Sequence, residues 1–150
     1  MKHLLFLLSL TCLTVIAKAQ TAEDSVKTAV NSLFTAMKNS DALALTNSFA
    51  DSAILQTISR DAAGKMVIET DAVTAFAGII SKLPKGAADE RIVFDVIRID
   101  GPLAIVWAPY KFYYNGVFSH CGVDSFQLVF INDEWKIQYL IDTRRKKGCE

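Results

Sequence analysis

Apolar side chains recur along this chain first at helical spacing and then at strand spacing. Thr21-Ala22-Glu23-Asp24 resembles a capping box, with Asp in place of the usual Glu or Gln. Val26, Ala29, Val30, Leu33, Phe34 and Met37 follow at i, i+3, i+4 spacing, which predicts an amphipathic helix over residues 22–38. Ser40-Asp41 is expected to cap a second, shorter helix carrying Leu45 and Phe49. Residues 52–59 and 65–69 read as two short strands around a turn from Asp61 to Gly64. Thr70-Asp71 is expected to cap a third helix with Val73, Phe76, Ala77, Ile80 and Leu83 on one face, ended by Pro84 and Gly86.

From Arg91 onward the pattern changes to strand. Runs 91–99, 103–114, 117–131 and 135–143 are rich in Val, Ile, Phe, Tyr and Trp. Asp100-Gly101, Asn115-Gly116 and Asn132-Asp133 separate them, and the first two dipeptides suit two-residue type I′ hairpins. With two-residue loops at all three places the register is fixed. One shared face then holds Ile92, Phe94, Val96, Leu103, Ile105, Trp107, Phe126, Leu128, Phe130, Trp135, Ile137 and Tyr139. A slip of one residue would scatter that face. The three helices supply the apolar stripes that cover it. The expected class is α+β: three N-terminal helices packed on one face of a curved antiparallel sheet.

The 150 residues fit one domain with a sizeable core. At 51% hydrophobic the chain is too apolar for disorder. Its 16 basic and 16 acidic groups balance, so charge gives no case for a nucleic-acid partner or an anionic membrane surface. Part of the hydrophobicity reads as a leader. Met1-Lys2-His3 is a short basic start, and the apolar run from Leu4 to Ile16 is too short to span a membrane. Ala17-Lys18-Ala19 fits the small-x-small cleavage rule. The expectation is a signal peptide over 1–19, a domain over 20–150, and a secreted or periplasmic address with no membrane attachment after cleavage. A lipoprotein acylated at Cys12 is disfavoured, because Ser9-Leu10-Thr11 lacks the preceding Leu and small residue such sites use.

Cleavage would remove Lys2, Lys18 and Cys12, leaving a net charge of about −2 and two cysteines, Cys121 and Cys149. In an exported chain an even count permits a disulfide. Two unpaired thiols are equally compatible, since Cys149 sits in the tail. No metal is expected: two Cys and one His have no ligand spacing. No cofactor is expected either, as the chain has no glycine-rich phosphate loop, Walker pattern or nucleophile elbow.

Trp107-Ala108-Pro109-Tyr110, the run from Ser119 to Phe126, and Glu134-Trp135-Lys136-Ile137 continuing to Asp142-Thr143-Arg144-Arg145 carry a likeness to a known family. With the helix and strand order, they resemble the nuclear transport factor 2-like superfamily over residues 22–145. Within it the chain looks most like the secreted SnoaL-like or lumazine-binding bacterial group. The resemblance implies a cone-shaped fold, a pocket between sheet and helices, and a homodimer through the sheet. That superfamily holds ketosteroid isomerases, polyketide cyclases, scytalone dehydratase and epoxide hydrolases, and also non-catalytic binding and assembly domains. No motif of any one of these enzymes matches residue by residue, so no catalytic residue is carried over, and fold alone does not fix function.

The register identifies polar side chains on the apolar face. Asp124 is placed between Trp107 and Ile141, with Phe94 one strand beyond, and a carboxylate so poorly solvated is a candidate acid, base or ligand anchor. The structural alternative is an Asp that accepts bonds from the Trp107 indole or backbone amides. His120, the one histidine of the mature chain, falls beside Lys111 and Arg145 at the open end. Two cations there would lower its pKa and attract an anionic ligand. By strand rise it lies roughly 13 Å from Asp124, too far for a direct dyad. Tyr139 falls opposite Phe126 and can donate into the pocket or simply fill the core. Tyr110, Phe112 and Tyr114 fall on the outer face, where apolar surface invites a partner sheet. Pro109 marks a candidate bulge that would swap faces. Asp142 and Arg144 point outward, and a bulge near residue 141 would turn them in. The basic run Arg144 to Lys147 reads as a solvated tail.

The expected ligand-binding set is therefore Trp107, Asp124, Phe126, Tyr139, His120 and Lys111, with Asp124, His120 and Tyr139 as catalytic candidates. Because these polar groups are few and separated, the sequence favours a non-catalytic pocket for a small, mostly apolar ligand. The alternative is a cofactor-free lyase or isomerase using Asp124.

Overall fold

The structure, a computed structural model, describes residues 21–149; the expected leader lies outside them. Helix α1 (Ala22–Lys38) begins with both halves of the capping box in place. The Thr21 hydroxyl accepts from the Asp24 amide at 3.1 Å, and the Asp24 carboxylate accepts from the Thr21 amide at 3.4 Å. The predicted stripe is buried at Val26, Val30, Leu33, Phe34 and Met37. Helix α2 (Ala42–Asn47) is capped by Asp41, whose carboxylate accepts from the Ala44 amide at 3.0 Å. Phe49, expected on that helix, instead opens β1 (Phe49–Arg60).

Strand β2 (Met66–Asp71) pairs antiparallel with β1 as far as Leu55 and Asp71. Thr70 and Asp71 are thus held in the ladder and do not cap helix α3 (Val73–Ile80) as expected; Ala72 stands at its N-cap with no side-chain bond.

The expected strand 91–99 is two strands, β3 (Ala88–Ile92) and β4 (Val96–Asp100), both paired with β5 (Leu103–Tyr114). The break lies opposite Pro109, which has no N–H to donate. There the Val93 amide bonds the Pro109 carbonyl and the Asp95 amide bonds the Trp107 carbonyl, which leaves Phe94 as the extra residue. The β4–β5 loop is Gly101-Pro102 rather than Asp100-Gly101, since Asp100 pairs with Leu103. That change is two residues and preserves which side chains share a face.

Strands β6 (Val117–Ile131) and β7 (Glu134–Thr143) complete a seven-stranded sheet in the order β2-β1-β7-β6-β5-β3, with β4 also on β5. All pairs are antiparallel except β1 with β7. Asn115 and Gly116, and Asn132 and Asp133, all have positive φ, as tight hairpin turns of the I′ kind require.

Two one-residue irregularities correct the expected faces. Tyr113 pairs with Phe118, but Phe112 pairs with His120, so β6 carries an extra residue at Ser119. Beyond it Ala108, not Trp107, faces Asp124, and Trp107 faces Ser125. Leu128 pairs with Ile137, but Gln127 pairs with Tyr139, so β7 carries an extra residue at Gln138. Asp142 therefore faces Asp124, and Ile141 faces Ser125. The covered face consists of Ala104, Val106, Ala108, Tyr110, Asp124, Phe126, Leu128, Ile137, Leu140 and Asp142. Leu103, Ile105 and Trp107, expected inside, are exposed on the other side. The helices close the core over the covered face, where Phe34 meets Phe126 edge-on at 6.1 Å. Full burial of a side chain such as Phe126 contributes about 1.5–3 kcal/mol.

Candidate functional site

Three carboxylic acids meet on the covered face. Asp124 on β6 and Asp142 on β7 are direct cross-strand partners, 3% and 7% exposed. Glu90 arrives from β3, opposite Phe112. All three line one cavity of about 70 Å³, walled by Leu33, Phe34, Met37 and Phe76 from the helices and Leu55 and Leu140 from the sheet. Like charges directly opposite on a sheet are destabilising. The protein handles the two aspartates differently.

Asp142 is ionically paired and fully bonded. Its Oδ1 accepts from the Thr57 hydroxyl at 2.5 Å. Its Oδ2 accepts from Arg144 Nε at 2.9 Å and from the Tyr110 hydroxyl at 3.1 Å. Arg144 also reaches the Thr57 hydroxyl at 3.1 Å, which closes the network. Tyr110 bonds the Thr143 carbonyl at 2.9 Å as well. Burial, with the Asp142 charge beside it, pushes the Tyr110 phenol far above its usual range, so it stays a neutral donor.

Tyr110 reaches across β6 only because Gly122 lies beneath it. A Cβ at that position would stand 1.7 Å from the Thr143 carbonyl oxygen and 2.7 Å from Tyr110 Cε1. The Ser119 irregularity is what turns Tyr110 inward, contrary to its expected place on the outer face.

Asp124 has no such partners. As a carboxylate its Oδ2 is buried without a hydrogen bond. Glu90 is its neighbour, and two ionised carboxylates offer each other no donor. One shared proton resolves this. Burial, then the Glu90 charge and hydrogen bond, raise the Asp124 carboxyl well above the carboxylate range. Burial raises Glu90 to about 7, opposed by the hydrogen bond from Asp124. Burial thus raises both carboxyls, and a proton held between them supplies the donor that two carboxylates lack.

His120 lies farther along the same face. Its ring packs on Phe112 at 5.0 Å and edge-on to Tyr110 at 5.7 Å, with the Ser119 hydroxyl 3.1 Å from Nδ1. Its pKa is lowered, first by burial and then by Arg144. The expected cause, Lys111 with Arg145, is corrected: Lys111 pairs with Cys121 on the outer face.

Two other expected pocket residues, Trp107 and Tyr139, are displaced by the same irregularities, and a third, Phe126, keeps its face but lies outside the cavity. Trp107 is 47% exposed on the outer face. Tyr139 lies opposite Gln127 and donates to Gln56 Oε1 at 2.7 Å, away from the acids. Phe126 is inward but belongs to the core beneath Phe34 rather than to the cavity. Of the six expected residues only Asp124 lines the acidic cavity.

Sequence reading missed Glu90 and Thr57 and left Asp142, Arg144 and Tyr110 outside. Glu90 sits in Asp89-Glu90-Arg91, which looks like a solvated turn. Asp89 is instead a buried strand residue, paired with Lys38 at 2.9 Å and Arg91 at 2.8 Å. The available signal was alternation through Ala88, Glu90 and Ile92, which puts Glu90 on the apolar face. Among the described residues no group of three or more His, Cys, Asp or Glu is placed to hold a metal ion.

Cys121 and Cys149 are joined by a disulfide, Cα to Cα 5.7 Å. It draws the C-terminal tail back onto β6, where Cys121 and Arg145 exchange two backbone bonds of 2.9 Å.

Comparison with known proteins identifies the architecture. No family model matches the chain, and no curated protein does. Solved structures match well. An NTF2-like protein of unknown function from Shewanella baltica is 14% identical with a TM-score of 0.64, covering 83% of this chain and 94% of that one. A second, from Methylobacillus flagellatus, is 16% identical with a TM-score of 0.63, covering 82% and 91%. A protein of unknown function with a cystatin-like fold from Nostoc punctiforme is 13% identical with a TM-score of 0.65, covering 85% and 95%. The chain has the nuclear transport factor 2-like fold expected from its sequence.

Proposed function

We propose that this chain binds a small, mostly apolar ligand and sets that ligand's one polar group against the Glu90–Asp124 pair. The observation that carries the reading is the buried Asp124 Oδ2, without a hydrogen-bond partner among the described residues, in a cavity whose helix side is the apolar wall of Leu33, Phe34, Met37 and Phe76. An unmet polar group of this kind costs about 1–3 kcal/mol. A ligand that meets it recovers that cost on binding. At about 70 Å³ the cavity is smaller than the roughly 300–1,000 Å³ of drug-sized sites, so it holds the polar tip of a ligand and a few carbons. The test is titration of the protein with cyclohexanol, cyclohexanone and cyclohexylamine, followed by amide chemical shifts. Shifts at Phe34, Asp124 and Leu140 that disappear in Asp124→Asn support the reading. Absence of saturable shifts for all three probes rejects it.

A second reading is acid–base catalysis without a cofactor. It is favoured by Glu90, raised to about 7, beside a second carboxyl that is also raised: a pair able to give and take a proton. Exchange of α-hydrogens of cyclohexanone in heavy water tests it. The enzyme reading expects catalysed exchange that falls at least about a hundredfold in Glu90→Gln. Binding with no exchange leaves the first reading alone.

Both readings take the chain as exported, with residues 1–19 removed. The Cys121–Cys149 disulfide supports an oxidising compartment. They also take it as a homodimer through the outer sheet face, supported by the exposed Leu103, Ile105 and Trp107 side by side on β5. The aromatic outer face expected from Tyr110 and Phe112 is replaced by this row.

A further inference from the structure

The outer face of the sheet carries a second cavity, of about 330 Å³, where the tail is stapled to β6. Its size falls in the range of small-molecule sites. Pro109, Tyr113 and the Cys121–Cys149 bridge give it apolar walls, and Arg91, Lys111 and Arg145 stand around it. No acidic side chain lines it.

The three cations are not equally engaged. Arg91 is ion-paired to Asp89 at 2.8 Å and its guanidinium lies over Tyr113, 4.2 Å from the ring centroid. It is fixed as part of the wall. Lys111 and Arg145 have no carboxylate within ion-pair distance among the described residues. Arg145 is anchored through its backbone to Cys121, and its Nε bonds the Gly148 carbonyl at 3.2 Å. Its guanidinium keeps further donors for a ligand. Two uncommitted cations beside a concave apolar wall are complementary to an anion that carries an apolar body.

We infer that this groove binds an organic carboxylate with an apolar or aromatic body, held by Lys111 and Arg145 and walled on one side by the disulfide-anchored tail. The site lies on the opposite face of the sheet from Glu90 and Asp124 and does not depend on the reading given for them. Because Cys149 forms part of the wall, occupancy is also tied to the oxidised state.

The probe is 4-phenylbutyrate, with 4-phenylbutan-1-ol as the uncharged control, titrated at neutral pH and low salt. Amide shifts are expected at Lys111, Tyr113 and Cys121. Binding should weaken at least about tenfold for the alcohol, for Lys111→Gln/Arg145→Gln, and after reduction of the disulfide. Asp124→Asn should bind as the parent does. The inference is overturned by the absence of saturable shifts. It is equally overturned if the double variant binds unchanged, or if the shifts centre on Leu140 and vanish in Asp124→Asn, which would place the anion in the inner cavity.

Discussion

Asp124 and Asp142 face each other directly across β6 and β7, and only one of them is provided with cations and donors. Asp142 takes Arg144, Thr57 and Tyr110. Asp124 is left with Glu90. Two buried acids in register are tolerable because one is neutralised by a salt bridge and the other by a proton.

The proton has a consequence for stability. Both Glu90, at about 7, and Asp124 are raised above their unfolded values of roughly 4. The native state therefore holds protons that the unfolded chain has released. This contribution is present at low pH and is lost as pH rises from about 4 through Glu90's value of about 7. His120, lowered by burial, acts in the opposite sense below its unfolded value of about 6.5. The difference between parent and Glu90→Gln isolates the pair. Urea unfolding at pH 5 and pH 8 should show the parent losing about 1–3 kcal/mol relative to the variant across that interval. A parallel pH dependence in the two proteins would contradict the raised pair.

Gly122 sets the geometry of the bonded half. A methyl group there meets backbone, which cannot swing aside as a side-chain end can. Gly122→Ala is expected to cost about 2–3 kcal/mol or more and to shift the Tyr110 ring signals. Gly78 on α3 has nothing within 4 Å of its added Cβ. Gly78→Ala should be neutral or stabilising by up to about 1 kcal/mol. Thermal unfolding of the two variants side by side checks both statements.

The Asp142 network should behave as a unit. Tyr110→Phe removes bonds of 3.1 Å and 2.9 Å and should cost about 1–2 kcal/mol. Arg144→Gln removes the ion pair. Its half-exposed side chain is screened by solvent, so about 1–2 kcal/mol is expected rather than the full cost of an unpaired buried charge. The double variant should cost less than the sum, because both act on the same Asp142 oxygen. Strict additivity in denaturant unfolding would mean the two bonds are independent.

Trp107 tests the proposed dimer. It sits with Leu103 and Ile105 on the outer row of β5. The parent should sediment as a dimer, and Trp107→Glu should shift the equilibrium toward monomer by at least about tenfold without changing the far-ultraviolet spectrum. A monomeric parent removes the proposal.

The sequence made elements legible and registers only locally so. The extent of α1, the turns at Asn115-Gly116 and Asn132-Asp133 and the strand runs follow from capping, turn chemistry and alternation. Ser119 and Gln138 carry no such mark, since neither is a glycine or a proline, and each displaces every pair beyond it by one. That is why Trp107 and Tyr139 exchanged faces with Ala108 and Leu140, and why Tyr110 and Asp142 turned inward. Asp124 was identified because it shares the unbroken alternation of β6 beyond Ser119 with Phe126 and Leu128, which mark the covered face. Pro109 did mark a bulge, but in the neighbouring strand at Phe94, because a missing N–H is felt by the partner. The parallel pairing of β1 with β7 joins segments too distant for turn chemistry to specify.

The central claim is that Glu90 and Asp124 hold a proton between them beside the cavity at a pH where ordinary carboxylates are ionised. Its most direct test is a pH titration of the side-chain carboxyl carbons by carbon-13 magnetic resonance, assigned with Glu90→Gln and Asp124→Asn. The expected result is that both carboxyls titrate above the ordinary carboxylate range, Glu90 near 7. Complete ionisation of both carboxyls below about pH 5, where ordinary carboxylates titrate, would contradict it.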